Sequence, residues 1–482
     1  MKNIARTFLL AAAATVSLSA QSLITGPSSS QTPYLTPTSP GWSATSILTV
    51  GDAIGGYQMA GIPDGLGAFG NGDGTLTLLA NHEIGTVSSS DPTLLGTTRA
   101  HGAAGGFVSK WVINTSTWQV ISGGDFLTSR ANQMMWNGTT WAAPATAYAY
   151  LRPCSADLPA LGAFYDATSG TGYNGRIFLN GEETGAEGKA FAWIVSGADA
   201  GKVYELPHHG KYSYENLLAR TNYGPTPGAA NLLQTVVVGT DDTTPGEVHV
   251  YIGTKTNSGN AVERAGLANG QVYGVKASSS VGYSGAIALE NATGINGTFT
   301  LAPIFTNATI AAKTGAEFQA ASKAAGVTQF ARPEDAHWLD HDSLILATTG
   351  ASGSAMNNVT VTSKIYQLDF NSDATNGILT TGGNIRVVVD SQNLTGRDGA
   401  TARSFDNLTV GNDGRSTSRR IRATARTSPS TGSWTRPSPR KPCASPTPCR
   451  SSNPTAVGSP RELPCSRPST KNTPGSSTSP RS

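Results

Sequence analysis

Charge is scarce in this chain: only 13% of its 482 residues are Asp, Glu, Lys or Arg. That argues against a coiled coil or a helix-rich bundle, both of which need a densely charged surface. Past the N-terminus no run approaches the roughly 18–20 apolar residues of a membrane helix. Cysteine is nearly absent, four in all, and three of them, Cys443, Cys449 and Cys465, lie close to the C-terminus. Cys154 therefore has no disulfide partner in the body of the chain, and its thiol is either a small buried hydrophobe or a ligand. What is abundant is glycine, 56 residues, together with Thr and Ser, which favours many short strands joined by tight turns.

The net charge of +3 averages two different polymers. Residues 416–482 carry twelve Lys/Arg against one acid, Glu462, for a net +11; residues 1–415 carry 22 bases and 30 acids, for a net −8. The last segment also holds 12 of the 27 prolines. Such a composition cannot bury enough apolar surface to fold, so 416–482 reads as a disordered basic tail. A nucleic-acid partner would rest on that tail alone, and apart from Trp434 no aromatic is interleaved with its charge, so none is expected. The codons that Ser416 to Gly432 permit can be read in a neighbouring frame as VYVQEDPGNSPYLAKYW, and those of Ser469 to Ser482, in the same frame, as a run ending DEEYAGIIDVSQI. Two acidic, strand-like peptides in one frame point to loss of a single base after Gly414.

Residues 1–20 read as a secretory signal, with Lys2 and Arg6 before the apolar run Phe8 to Val16 and a small-residue exit at Ser17 to Ala20. There is no Arg-Arg pair, so Sec-type export to the periplasm or the exterior is expected. The body, 21–415, shows compact β-branched or alternating runs: Thr75–Ala80, Gly106–Ile113, Gln119–Ser122, Arg176–Asn180, Ala190–Val195, Gln234–Gly239, Glu247–Gly253, Gln271–Lys276, Ser343–Thr348, Lys364–Phe370, Asn384–Asp390 and Asn407–Gly411. Only Tyr214–Arg220 and Thr314–Ala325 suggest short helices. Strand pairs recurring without alternating helices indicate an all-β fold, and at this length a β-propeller rather than one sandwich. No Trp-Asp signature marks the blades, and no linker before 415 divides the body.

Acids gather near strand ends. Asn81-His82-Glu83 closes one run, Glu182-Glu183 follows another, and Asp241-Asp242 a third. Arg332-Pro333-Glu334-Asp335 combines a guanidinium with two acids, Asp406 precedes a further run, and Arg152-Pro153-Cys154-Ser155-Ala156-Asp157 carries the lone thiol. Taken singly, each also fits a turn or a cap. His208-His209, in a Pro/Gly loop, reads as exposed. If the strands converge on one propeller face, their carboxylates would repel unless a cation compensates them; hard oxygen donors suit Ca²⁺, and a thiolate suits iron or zinc.

The ordered set Asn81-His82-Glu83, Arg152 to Asp157, Gly181-Glu182-Glu183, Arg332 to Asp335 and Phe405-Asp406-Asn407-Leu408 resembles the motifs of the PhoX-type alkaline phosphatases across roughly residues 45–415. Tyr214-Glu215-Asn216 is similar to that family's His-Glu-Asn segment, with Tyr for His. The resemblance implies a propeller of about six blades, incomplete here at the C-terminus, that hydrolyses small phosphomonoesters with Ca²⁺ and Fe³⁺, as a monomer outside the cytoplasm. It implies metal ligands among Glu83, Cys154, Glu182, Glu183, Glu215, Glu334 and Asp406, with Cys154 bridging the irons and Arg332 clamping phosphate; Asp241 and Asp242 are metal-ligand candidates from their place after a strand alone. Two departures stand out: the missing Arg-Arg pair, and Arg419-Arg420-Ile421 where the family's Gln-Glu-Asp-Pro-Gly would lie. The second removes a candidate ligand and predicts little activity for this polypeptide. Two other readings fit the residues: a calcium-braced binding propeller, and a propeller hydrolase of another ester.

Overall fold

The computed structural model describes residues 22–37, 41–85, 97–220, 233–278, 288–373, 375–394 and 403–410, and of 416–420 the backbone alone. The expected signal, most of the expected tail and Cys443, Cys449 and Cys465 lie outside the described residues. Among the described residues no helix is long and apolar enough to cross a membrane.

Four antiparallel meanders follow one another, each of four strands. They are Pro63–Gly70, Thr75–His82, Phe107–Asn114 and Val120–Asp125; Pro153–Asp157, Ile177–Glu182, Ala190–Ile194 and Val203–Glu205; Tyr214–Ala219, Gln234–Asp241, Val248–Thr254 and Gln271–Ala277; and Pro333–Trp338, Ser343–Thr348, Lys364–Asp373 and Gly377–Asp390. A fifth begins with Phe405–Val410 paired to Ser416–Arg420. The strand Gly297–Phe305 pairs with both Gln271–Ala277 and Gly377–Asp390, joining the third and fourth meanders at their outer edges. Each first strand packs on the first strand of the next meander, from Pro63–Gly70 through to Phe405–Val410. This radial order is the expected all-β propeller, and the meanders are its blades. Five first strands stand in the described residues, against about six expected. Backbone pairing also continues to Arg420, five residues into the segment expected to be disordered.

The core explains why the sheet-forming runs look continuously apolar. Leu344 and Leu346 pack with Val236 and Val238 of the third blade, while Ile345 and Ala347, on the other face of the same strand, pack with Phe405 and Leu408. In the same way Leu79 and Val108 meet Phe178 and Trp193, and Leu179 and Ile194 meet Leu217 and Val237. Each of the four interfaces between consecutive blades among the described residues is thus a hydrophobic layer, each fully buried Val, Leu or Ile contributing about 1.5–3 kcal/mol. Toward the ring's centre the strands come too close for side chains: a Cβ on Gly65 would lie 2.4 Å from the amide nitrogen of Ala156.

Two local expectations fail. Tyr214–Ala219 is a strand, not a helix, because its apolar residues pack between two blades rather than along one face. His208 and His209 are buried, not exposed: Pro207–His209 forms a short 3₁₀ turn that stacks His209 on Tyr251, centroids 4.0 Å apart, with Nε2 3.2 Å from the carbonyl of Leu267. The helix Gly315–Ala325 forms as expected, with Thr314 and Glu317 making a reciprocal cap.

Candidate metal centre

One local device recurs at the start of all five first strands. The second residue of each strand lies inside or beside a shift of register against the neighbouring strand: Asp64, Cys154, Glu215, Glu334 and Asp406. In four of the five, the residue before the strand has a positive φ: Ile62 at 49°, Arg152 at 42°, Arg332 at 60° and Ser404 at 52°. Non-glycine residues rarely adopt that conformation, least of all a β-branched one, and such strain gathers at functional sites. A bulge re-aims one side chain out of the alternating pattern, here toward the same end of every blade.

The second strands contribute from the same end. Pro63, Pro153, Tyr214 and Pro333 lie opposite His82, Glu182, Asp241 and Thr348, and the next residue in each chain is Glu83, Glu183, Asp242 and Thr349. Donor atoms of Asp64, Glu83 and Cys154 lie within 4.8 Å of one another, as do those of Cys154, Glu183 and Glu215, and those of Glu215, Glu334 and Asp406. The three groups share Cys154 and Glu215, so six carboxylates and one thiol form a continuous chain of donors. Arg332 holds one end. Its Nε and Nη2 donate to the two oxygens of Asp242 at 2.8 and 2.7 Å, and Nη2 lies 3.0 Å from Glu334. At the other end Nη2 of Arg152 bonds both Glu83 and Glu183.

The centre of this run of donors is buried. Glu215 is fully buried, its carboxylate taking hydrogen bonds from Ser155 Oγ at 2.9 Å and from Cys154 Sγ at 3.1 Å. Burial, then the nearby Glu334 charge, pushes its carboxyl well above the usual range. Burial and Asp242 push Glu334 up to about 9, and burial raises Glu83 to about 7 against the opposing pull of Arg152. The Cys154 thiol is likewise pushed up, by burial and by Glu215. Two guanidinium groups do not balance this many acids, so without further cations several must hold protons. The donor set, hard oxygens around one sulfur, fits metal ions that would take the place of those protons.

Support for the thiol comes from a buried amide relay. Trp193 Nε1 donates to Asn180 Oδ1 and Asn180 Nδ2 to Asn81 Oδ1, both at 2.8 Å, while Asn81 Nδ2 donates to the carbonyl of Cys154. Asn81 therefore positions Cys154, and its neighbour His82 is structural, its Nε2 2.8 Å from Ser109 Oγ and its Nδ1 3.1 Å from the carbonyl of Gly61.

Of the residues singled out in the sequence, the fold brings together Glu83, Cys154, Glu183, Glu215, Glu334 and Asp406, with Asp242 and Arg332 adjoining. Glu182 and Asp241 stand apart from the convergent groups. Strand residues alternate in direction, so when Glu183 and Asp242 turn toward the cluster their predecessors turn into the blades. Glu182 accepts from Tyr148 Oη and from the amide of Leu151, and Asp241 from Gln319 and Thr243. Asp64 was missed by the sequence reading. The signal was present: Ile62-Pro63-Asp64 matches Arg152-Pro153-Cys154 and Arg332-Pro333-Glu334 in placing a donor after a proline that opens a strand.

No protein-family model matches this chain, and no curated protein matches it. Among solved structures the chain resembles Pseudomonas fluorescens PhoX, determined in complex with vanadate, a transition-state analogue, with a TM-score of 0.52 over 77% of this chain and 76% of that one. At 12% identity the likeness is one of fold.

Proposed function

We propose that this chain is an exported metal-dependent phosphomonoesterase, impaired by its altered C-terminal end, whose site is the donor chain from Asp64 to Asp406, holding Ca²⁺ and Fe³⁺. The observation that carries the reading is the convergence of one thiol and six carboxylates from five blades, flanked by two guanidinium groups. A fold shared with a protein solved with a phosphoryl transition-state analogue supports it.

Bound cations would supply Lewis-acid polarisation of the phosphoryl oxygens and a more acidic water. Glu83, Asp64, Glu183, Glu334 and Asp406 would hold them through oxygen, Cys154 through sulfur, and Glu215 from the buried centre. Arg332 spends Nε and Nη2 on Asp242, which fixes the guanidinium plane in which Nη1 would meet a phosphoryl oxygen. In the net reaction a water oxygen bonds to phosphorus, the ester P–O bond breaks, and the alcohol leaves with a proton from water. The low-dielectric bed under the cluster strengthens each of these charge interactions.

Within this proposal residues 1–20 direct export, 21–415 form the phosphatase body, and a restored reading frame after Gly414 returns the lost ligand and the closing strands. Metal analysis and hydrolysis of p-nitrophenyl phosphate test it, on this chain and on its frame-restored counterpart. Calcium, iron and phosphate release in the restored protein are expected. A restored protein that is folded and metal-loaded yet hydrolyses no phosphomonoester would instead be a binding propeller or a hydrolase of another ester.

A further inference from the structure

Arg152 and Arg332 occupy equivalent places in the second and fourth blades, each with positive φ before a proline that opens a first strand. They are held differently. Arg332 is locked by a two-nitrogen fork on Asp242 and a further contact to Glu334. Arg152 engages its carboxylates through Nη2 alone, one nitrogen wedged between Glu83 of the first blade and Glu183 of the second. Those two acids belong to different donor groups that meet at Cys154. One nitrogen of a cationic group thus sits between two sets of ligands, where a shared metal ion could sit. The Arg152 side chain is 46% exposed, while Glu83 and Glu183 are 15% and 16% exposed. Its backbone is pinned, the amide donating to Ile84 and the carbonyl accepting from Glu183 at 3.2 and 3.0 Å, so the side chain can swing without disturbing the strand.

We propose that Arg152 is a displaceable counter-cation: it neutralises Glu83 and Glu183 until metal ions take those carboxylates, and the released guanidinium then holds phosphoryl oxygens at the end of the cluster opposite Arg332. An ion of charge two or three outcompetes a single positive charge for the same pair of oxygens, and returning a half-exposed guanidinium to water costs little. Freed, its guanidinium offers a phosphate a planar fork at the end of the cluster opposite Arg332. The second half rests on the phosphatase reading; the first does not.

The test compares the full chain with Arg152→Gln and Arg152→Lys after chelation, by calorimetric titration with CaCl₂ and by thermal melting, circular dichroism checking the fold. Arg152→Gln should bind Ca²⁺ roughly three- to tenfold more tightly, the effect of removing a competing half-exposed ion pair, and should melt earlier when metal-free. Arg152→Lys, keeping the charge, should stay near the parent in both. Unchanged or weaker calcium binding in Arg152→Gln overturns the counter-cation. Inorganic phosphate is then titrated into the same three proteins, metal-loaded and with the reading frame restored. Weaker binding in Arg152→Gln, partly recovered in Arg152→Lys, supports the second role, and equal binding overturns it. A frame-restored parent that takes up calcium but no phosphate overturns the phosphatase reading and the second role together, while the calcium titration still decides the first.

Discussion

Glu182 and Glu183 are consecutive, as are Asp241 and Asp242, yet the members of each pair live in different regions of the molecule. Glu183 and Asp242 reach the cluster, where acids outnumber bases and guanidinium groups press on the carboxylates. Glu182 and Asp241 point into the blades, where their hydrogen-bond donors are uncharged: Tyr148 and the amides of Leu151 and Lys189 for the one, Gln319 and Thr243 for the other. Burial raises both inward acids to about 7. In the blades a carboxyl group can meet burial by staying protonated and hydrogen-bonded. In the cluster acid packs on acid, and the donors converge closely enough that metal ions could take the place of the protons. The difference is one of surroundings, produced by a rotation of about 180° between adjacent strand residues.

The sharpest way to break this comparison is to remove one acid from each region. Glu215→Gln should abolish metal retention in the cluster and lower phosphate-ester hydrolysis in the frame-restored protein by at least about 100-fold. Glu182→Gln should keep its metal content and instead lose stability, about 1–3 kcal/mol for an imperfectly satisfied buried group. Equal loss of metal in both, read by elemental analysis, would erase the distinction between the regions.

A second, intermediate effect is the dependence of stability on pH. Glu83 and Glu334 are raised from 4.5 to about 7 and about 9, so the folded chain binds more protons than the unfolded one across that window. Their contribution is fully present below about pH 4.5 and is lost as pH rises through 7 toward 9. Melting temperature in chelator should therefore fall from pH 5 to pH 9, and added calcium should remove most of that slope, because a cation replaces the protons. Parallel slopes with and without calcium would contradict the cation-for-proton exchange.

The smallest effect concerns the fourth blade, where Thr349 stands at the position that Glu83, Glu183 and Asp242 take in the others. Its hydroxyl bonds Glu334 and also lies 3.0 Å from the carbonyl of Phe405, tying the fourth blade to the fifth. Thr349→Val should weaken calcium binding severalfold, equivalent to about 1 kcal/mol, with no change in the calcium dependence of the other groups. A calcium isotherm identical to the parent's would show that Thr349 only spaces the blades.

How much was legible in the sequence follows from this geometry. Strands in the middle and at the outside of the blades, such as Ser343–Thr348 and Lys364–Asp373, were readable because two apolar faces make a compact β-branched run. Of the first strands, which carry the site, Pro63–Gly70, Pro153–Asp157 and Pro333–Trp338 were not recognised and Tyr214–Ala219 was read as helical. They open with proline or an aromatic, shift register within a few residues, and use glycine where chains approach, and each of these erases the period-2 pattern. The chemistry was legible in the same stretches for the opposite reason, since acids and a lone thiol are conspicuous in a chain so poor in charge.

By itself the sequence determined that this is a strand-built body with one thiol and with acids concentrated at strand ends, because hydrophobic runs and scarce charge are local facts of composition. Tertiary structure alone decided which acid of each adjacent pair joins the others, that Asp64 belongs with them, and that Arg152 sits between two blades. Those outcomes depend on where bulged strands from distant parts of the chain aim their side chains, and the pleat gives neighbouring residues opposite directions.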